Sequence, residues 1–164
     1  MSALNFTKIV PNFPKEGIIF QDLSPVFQNH FPELIEECAD CISQIEEIDF
    51  FVGVESRGFI IASALAQKFG KGFVMIRKKG KLPPPKFSQE YSLEYGFDTI
   101  EMQEGSGKIC IIDDVLATGG TLEASCKLAE KCGYDVKEIF CILNISTLNN
   151  FEFKGIKPKI LKII

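Results

Sequence analysis

Two adjacent carboxylates, Asp113 and Asp114, are followed at once by a small, flexible turn, Ala117-Thr118-Gly119-Gly120-Thr121. The turn has the composition of an anion cradle. Gly119 and Gly120 let the main chain approach a phosphate, and the Thr118 and Thr121 hydroxyls can donate to it. If a helix starts there, its first N–H groups lack intrahelical partners and its dipole favours negative charge. The two acids would repel a phosphate placed beside them. They suit the hydroxyls of a sugar, or a divalent cation. Phosphate at one end and hydroxyls at the other describe a ribose 5-phosphate. No G-x-x-x-x-G-K-[ST] loop and no G-x-G-x-x-G occurs in the chain, so the usual nucleotide-loop chemistry is not indicated.

Elements to position these groups can be read on either side. Ile109-Cys110-Ile111-Ile112 is short and β-branched, as a strand buried on both faces should be. Leu122–Cys132 has helical spacing, with Leu122, Cys126, Leu128 and Ala129 on one side. A second strand-to-helix turn, Glu55-Ser56-Arg57-Gly58, lies between the expected strand Phe50–Val54 and the expected helix Phe59–Phe69. Taken alone, Arg57 there is equally a surface arginine. A third strand, Gly72–Ile76, runs into Arg77-Lys78-Lys79-Gly80-Lys81 and then three prolines, 83–85. Such a charge run is usually a solvated face, but basic loops at strand exits also act as lids over anions.

Strands alternating with helices imply right-handed βαβ units around a mostly parallel sheet, and ligands of such sheets bind beyond the carboxyl ends of the strands. All three charged loops follow strands, so all three should meet at that edge. The remaining elements are a helix over Glu33–Glu47, a short strand Thr99–Gln103, a long strand Val136–Ile145 and an edge strand Pro158–Ile164. Met1–Pro32 is rich in turn signals, and the polar turn Ser146–Asn150 with the tail carries the least information.

The 164 residues are expected to form one domain (1–164), and 46% hydrophobic with 24% charged residues is globular composition. A net charge of −4 with only local basic clusters does not indicate a nucleic-acid surface. No signal peptide and no bilayer-length apolar run is seen, so a cytoplasmic location is expected. Most of the six cysteines sit in apolar or helical contexts, as buried free thiols do. Cys38-x-x-Cys41 has no second Cys pair or His partner and reads as part of a helix rather than a redox or zinc motif. His30, the only histidine, lies beside no nucleophile and reads as structural.

IIDDVLATGGT resembles the phosphoribosyl-diphosphate signature of the type I phosphoribosyltransferases, and its ATGGT ending is most similar to the adenine branch of that family. FPKEGIIFQDLSP, ESRGF, RKKGKLP and YSLEYG resemble the same branch, so the likeness runs from Phe13 to about Ser146. The resemblance implies the type I fold, a central mostly parallel sheet flanked by helices. It adds a small N-terminal hood (1–32) and a flexible basic lid loop (77–95). It implies a Mg²⁺-dependent reaction of adenine with 5-phosphoribosyl 1-diphosphate, giving AMP and diphosphate in purine salvage, carried out by a homodimer.

By the same likeness, Ala117, Thr118, Gly119, Gly120 and Thr121 hold the 5′-phosphate, and Asp113 and Asp114 hold the ribose. Glu55, Ser56, Arg57, Arg77, Lys78 and Lys81 meet the diphosphate. Ile19, Phe20, Gln21 and Leu116 meet adenine, and Glu94 handles a proton at the purine with Tyr95 beside it in the lid. Mg²⁺ would be held mainly through substrate. From composition alone Phe20 is a core residue and Glu94 a solvent-facing one. The chain departs from its relatives at Pro84 and at Glu90-Tyr91, and its proline run is expected to slow lid closure or move the hinge. Alternatives are a transferase for hypoxanthine, guanine or xanthine, and a non-catalytic sensor of phosphoribosyl diphosphate. The first should lack FPKEGIIFQDLSP, and the second generally adds a DNA-binding domain and a basic face.

Overall fold

The computed structural model describes residues 1–93 and 96–164, and its contacts divide the chain into two units, Met1–Asp40 and Cys41–Ile164. In the first, strands β1 (Lys8–Pro11) and β2 (Ile19–Asp22) pair antiparallel and are followed by helices α1 (Ser24–Asn29) and α2 (Phe31–Cys41). Glu37 on α2 ties down the chain start, accepting from Ser2 Oγ and from the Ala3 amide, both at 2.7 Å. His30 stacks on Phe6 with ring centroids 3.8 Å apart, a packing role.

The second unit is a seven-stranded sheet in the order β5-β6-β4-β3-β7-β8-β9. Its elements are β3 (Phe50–Val54), α3 (Arg57–Phe69), β4 (Gly72–Lys78), β5 (Lys86–Leu93), β6 (Gly96–Gln103), β7 (Gly107–Leu116), α4 (Gly120–Lys131), β8 (Tyr134–Asn144) and β9 (Lys159–Ile163). The β4-β3-β7-β8-β9 block is parallel, while β6 joins β4, and β5 joins β6, antiparallel. From β3 the chain crosses to β4 on one side, and from β7 it crosses to β8 on the other. Right-handed crossovers in opposite directions set α3 and α4 on opposite faces and leave a crevice between the ends of β3 and β7. Parallel pairing sets Phe50 opposite Ile109 and Gly53 opposite Ile112, so both strand ends reach the same edge. The core beneath is dry: Val52, Ile76, Ile109, Ile111, Leu128 and Ile139 are fully buried.

Several expected boundaries move. The helix expected to Glu47 ends at Cys41, and only a 3₁₀ turn, Ile45–Glu47, follows. The reason is Glu138 on β8. Its carboxylate accepts from the Ser43 amide (3.0 Å), the Ser43 hydroxyl (2.9 Å) and the Gln44 amide (3.2 Å), taking donors that a continuing helix would need. β7 does not stop at the acids but runs through them to Leu116, because Asp113, Val115 and Leu116 still pair with Cys141, Leu143 and Asn144. The basic stretch 77–95, expected as a loop, contains strand β5, paired along its length with β6. The Pro84–Pro85 peptide is cis. The tail strand is at the sheet edge, as expected. Among the described residues no helix is long and apolar enough to cross a membrane.

Glu138 is 2% exposed, so its truncation leaves the Ser43 and Gln44 donors to whatever water can reach them. Glu138→Ala should cost about 2 kcal/mol, the scale of a charge-assisted hydrogen-bond set. Urea unfolding should show a lower midpoint at an unchanged slope.

Candidate active site

Everything at the crevice begins with the close packing of α3 on the end of β7. A Cβ on Gly58 would sit 2.7 Å from the Ile112 carbonyl oxygen, so only glycine lets the first turn of α3 lie there. That contact brings Arg57 over the acids. Arg57 Nε lies 2.6 Å from Asp114 Oδ2. The contact is one of charge, and among the described residues this buried oxygen accepts no hydrogen bond. Asp113 and Asp114 are 8% and 7% exposed, and Asp113 Oδ1 accepts from the Asp114 amide at 2.9 Å. Burial, and then the neighbouring charge of Asp114, push the Asp113 carboxyl well above the usual range. Asp113 can therefore keep a proton that a more exposed aspartate would lose.

The acids open into a cavity of about 280 Å³ that also meets Glu55, Arg57, Lys78, Tyr91 and Thr121. A smaller space of about 60 Å³ is formed by Val115–Gly119, Thr121 and Leu122. Thr121 lines both, so the acid-lined cavity adjoins the cradle. Gly119 caps α4 at φ 91°, in the left-handed region that favours glycine, and Gly120 starts the helix. The start of α4, whose first amides lack intrahelical partners, thus lies beside the smaller space.

The basic residues from the third loop arrive already engaged. Lys81 Nζ lies 2.7 Å from Glu55 Oε1, and Arg77 Nε lies 3.4 Å from Glu55 Oε2. The Lys78 amide also donates to Glu55 Oε2 at 2.9 Å. Burial raises the Glu55 pKa, but the hydrogen bonds from Lys81 and the Lys78 amide and the two nearby cations outweigh it, so it titrates below its ordinary value. Sequence reasoning grouped Glu55 with the anion-holding residues. Its carboxylate instead gathers the cations.

The structure thus brings Glu55, Ser56, Arg57, Lys78, Asp113, Asp114 and Thr121 to one cavity and joins Arg77 and Lys81 to it through Glu55. Leu116 is buried at the end of β7. Ile19, Phe20 and Gln21 lie on β2 in the first unit, where Ile19 is 63% exposed and Phe20 meets Phe13 edge-on at 5.1 Å. Glu94 and Tyr95 lie outside the described residues.

Two acids were missed. Asp98 forms an ion pair with Lys78 and meets the Tyr91 hydroxyl at 3.3 Å. Glu101, 3% exposed, accepts from the Gly80 amide (3.0 Å) and from Lys86 Nζ (2.8 Å), fixing the turn that carries Lys81. Both roles follow from pairing, Tyr91 opposite Asp98 and Ser88 opposite Glu101, and no local motif announces them. Hydrogen bonding from Lys78 holds the Asp98 carboxyl below its usual range, and Lys86 does the same for Glu101.

The cysteines take no part in this chemistry. All six are free. Cys141, paired with Asp113 across the strands, has its thiol pushed well up by burial and then by the two aspartates, which keeps it inert.

Residues 29–148 match the family model described as a phosphoribosyl transferase domain. The adenine phosphoribosyltransferase of Hydrogenovibrio crunogenus is 50% identical over 153 residues, covering 92% of this chain and 89% of that protein. Among solved structures, the adenine phosphoribosyltransferase of Rhodothermus marinus superposes with a TM-score of 0.85 at 37% identity, over 99% of this chain and 98% of its own. The Saccharomyces cerevisiae enzyme, solved with adenine and an imino-altritol bisphosphate, superposes with a TM-score of 0.80 at 34% identity, over 97% of each chain. By these likenesses over nearly its whole length, the chain belongs to the phosphoribosyltransferase family, in its adenine branch.

Proposed function

We propose that the chain transfers the 5-phosphoribosyl group of 5-phosphoribosyl 1-diphosphate to adenine, releasing AMP and diphosphate, as a step of purine salvage. The observation that carries this reading is the adjoining of two spaces at the crevice, an acid-lined one for ribose hydroxyls and one beside the start of α4 for a phosphate.

In the reaction the bond between the anomeric carbon and the diphosphate oxygen breaks, and its electron pair leaves with the diphosphate. The purine N9 then bonds to that carbon and gives up its proton. Arg57, Arg77, Lys78 and Lys81, with the Ser56 end of the loop, stabilise the departing anion. Preorganised charges of this kind are worth roughly 3–4 kcal/mol each in other enzymes. Glu55 keeps two of those cations oriented before substrate arrives. Asp113 and Asp114 hold the ribose hydroxyls and favour the positive charge that develops on the ring. Ala117–Thr121 anchors the 5′-phosphate. Ile19, Phe20 and Gln21 offer the apolar face and polar rim that adenine needs. Glu94 receives the purine proton, and the 77–95 segment with Tyr95 excludes water that would capture the cation.

Mg²⁺ fits this set. Among the described residues no cluster of three or more acidic, Cys or His side chains could cage a metal, but magnesium commonly binds through one or two carboxylates plus substrate oxygens. Asp113 and Asp114, which line the same cavity, are the carboxylates that would face it. When bound, the ion would neutralise charge on the diphosphate and order the substrate.

The chain acts in the cytoplasm as a homodimer. Six cysteines without a disulfide among the described residues accord with a reducing compartment. Ile60, Phe73 and Met75 are each more than a third exposed, and Phe73 meets Phe59 edge-on at 6.0 Å, an apolar face suited to a second copy.

Chromatography of reactions containing 5-phosphoribosyl 1-diphosphate and adenine should show AMP, dependent on added Mg²⁺. Equal kcat/KM with hypoxanthine or guanine would transfer the chain to the other purine branch, and substrate binding without turnover would make it a sensor. Asp114→Asn should keep the thermal transition while lowering kcat by roughly 10²–10³, the loss typical of one preorganised transition-state contact. Lys81→Ala should raise the KM for 5-phosphoribosyl 1-diphosphate about tenfold and leave the KM for adenine alone; steady-state kinetics with each substrate varied separates the two. Glu55→Gln tests the cation clamp through pH. Because folding lowers the Glu55 pKa from 4.5, its ion pairs contribute fully above that value and are lost as pH falls through the lowered one. The stability gap between wild type and Glu55→Gln should be flat from neutral pH to about 5 and close below it.

A further inference from the structure

The tail segment that follows β8 turns back on the phosphate cradle. Asn149 Nδ2 donates to the Ala117 carbonyl at 2.6 Å, to Asn144 Oδ1 at 3.0 Å and to the Ile145 carbonyl at 3.2 Å. Its Oδ1 accepts from the Phe151 amide at 3.1 Å. The orientation of this amide is dictated by its partners: turned over, its NH₂ would face the Phe151 N–H and its oxygen would face three acceptors. The Phe151 that Asn149 fixes lies against Gly119, where an added Cβ would come within 3.0 Å of the ring. The same segment is held to the strand end by the Ile145 amide, which donates to the Leu116 carbonyl at 2.9 Å.

One half-buried side chain therefore grips the first residue of the cradle and seats the ring beneath its third. We infer that Asn149 is a positioning residue for the 5′-phosphate, holding the Ala117–Gly119 backbone in the shape that receives it. This rests on the reading of Ala117–Thr121 as the phosphate site. A carbonyl engaged by Asn149 cannot rotate toward the incoming anion, which it would repel, and the amides of the loop are left to face that anion. Preorganisation of donors is what makes such a cradle effective, and it has to be supplied from behind by groups that touch no ligand. Among the described residues Asn149 hydrogen-bonds to Ala117, Asn144, Ile145 and Phe151, outside the acid pair and the cation clamp, so its effect should be confined to the phosphate end.

The test compares wild type with Asn149→Ala, Asn149→Asp and Asn149→Ser, measuring inhibition by AMP and by adenosine, which differ only in the 5′-phosphate. Wild type should bind AMP far more tightly than adenosine. Asn149→Ala should weaken AMP about tenfold, the effect of losing one well-made hydrogen bond at a charged site, with adenosine unchanged. Asn149→Asp, the same size but without the NH₂ donor, should be at least as poor. Asn149→Ser, which keeps a shorter donor, should recover part of the loss. In turnover the KM for 5-phosphoribosyl 1-diphosphate should rise while kcat and the KM for adenine stay within about twofold. Phe151→Leu, milder for folding, should give the same pattern at smaller size. Retained AMP preference in all the variants would overturn the proposal alone, as would equal losses for AMP and adenosine. A wild type that binds AMP and adenosine alike would overturn the phosphate reading itself, and this proposal with it.

Discussion

The contact between Arg57 and Asp114, 2.6 Å across the gap between two neighbouring parallel strands, is the constraint around which the rest is arranged. Two adjacent carboxylates buried to less than a tenth exposure are unstable neighbours: burial, and then the charge of Asp114, oppose the ionisation of Asp113. A cation has to be delivered to them from another loop. The fold does this by placing β3 beside β7 and sending their crossovers in opposite directions, so that the start of α3 meets the end of β7. Gly58 makes the meeting close enough. The register of a parallel pair, the handedness of two crossovers and one missing side chain thus combine to fix a single charge contact.

Charge in the second loop pair follows the same rule with the signs exchanged. Arg77, Lys81, Lys78 and Lys86 would repel one another along a short turn and strand, yet each lies against an acid: Glu55 for the first two, Asp98 and Glu101 for the others. The resting site is therefore neutralised internally. A polyanionic substrate has to exchange these contacts for its own, and the exchange costs least where the pairs are most exposed. Lys81, with half of its side chain exposed, is easier to redirect than Lys86, which is held against a nearly buried Glu101. The Lys81 side chain is thus the part free to be redirected, while the Gly80 turn stays tied to Glu101.

Much of this was legible from the chain alone, and what was legible has a common character. β3 was read to the residue, and the alternation of strands with helices, the two strand-to-helix turns and the meeting of the charged loops all follow from local apolar runs and glycine positions. What could not be read depends on partners far away in sequence. The end of α2 is set by Glu138, some 95 residues on, which a helical periodicity cannot reveal. The strand nature of 86–93 depends on β6, and the polar positions of Ser88, Gln89 and Glu90 concealed it. Glu55 was grouped by its neighbours in the chain with residues that bind anions, and only its contacts with Lys81 and Arg77 give its own chemistry.

The tail is the sharpest case, because its composition carries no chemical signal at all. Asn149 belongs to a polar turn of the sort that ordinarily means solvent, and Phe151 to an irregular stretch. Their importance comes from where β8 ends. β7 and β8 run parallel with Leu116 opposite Asn144, so the residues that follow each strand emerge side by side. One of the two emerging segments is the proposed cradle. The other donates to Ala117 and packs a ring against Gly119. A loop that binds by its main chain needs such a neighbour, and in a parallel sheet the next strand's exit is the segment placed to supply it.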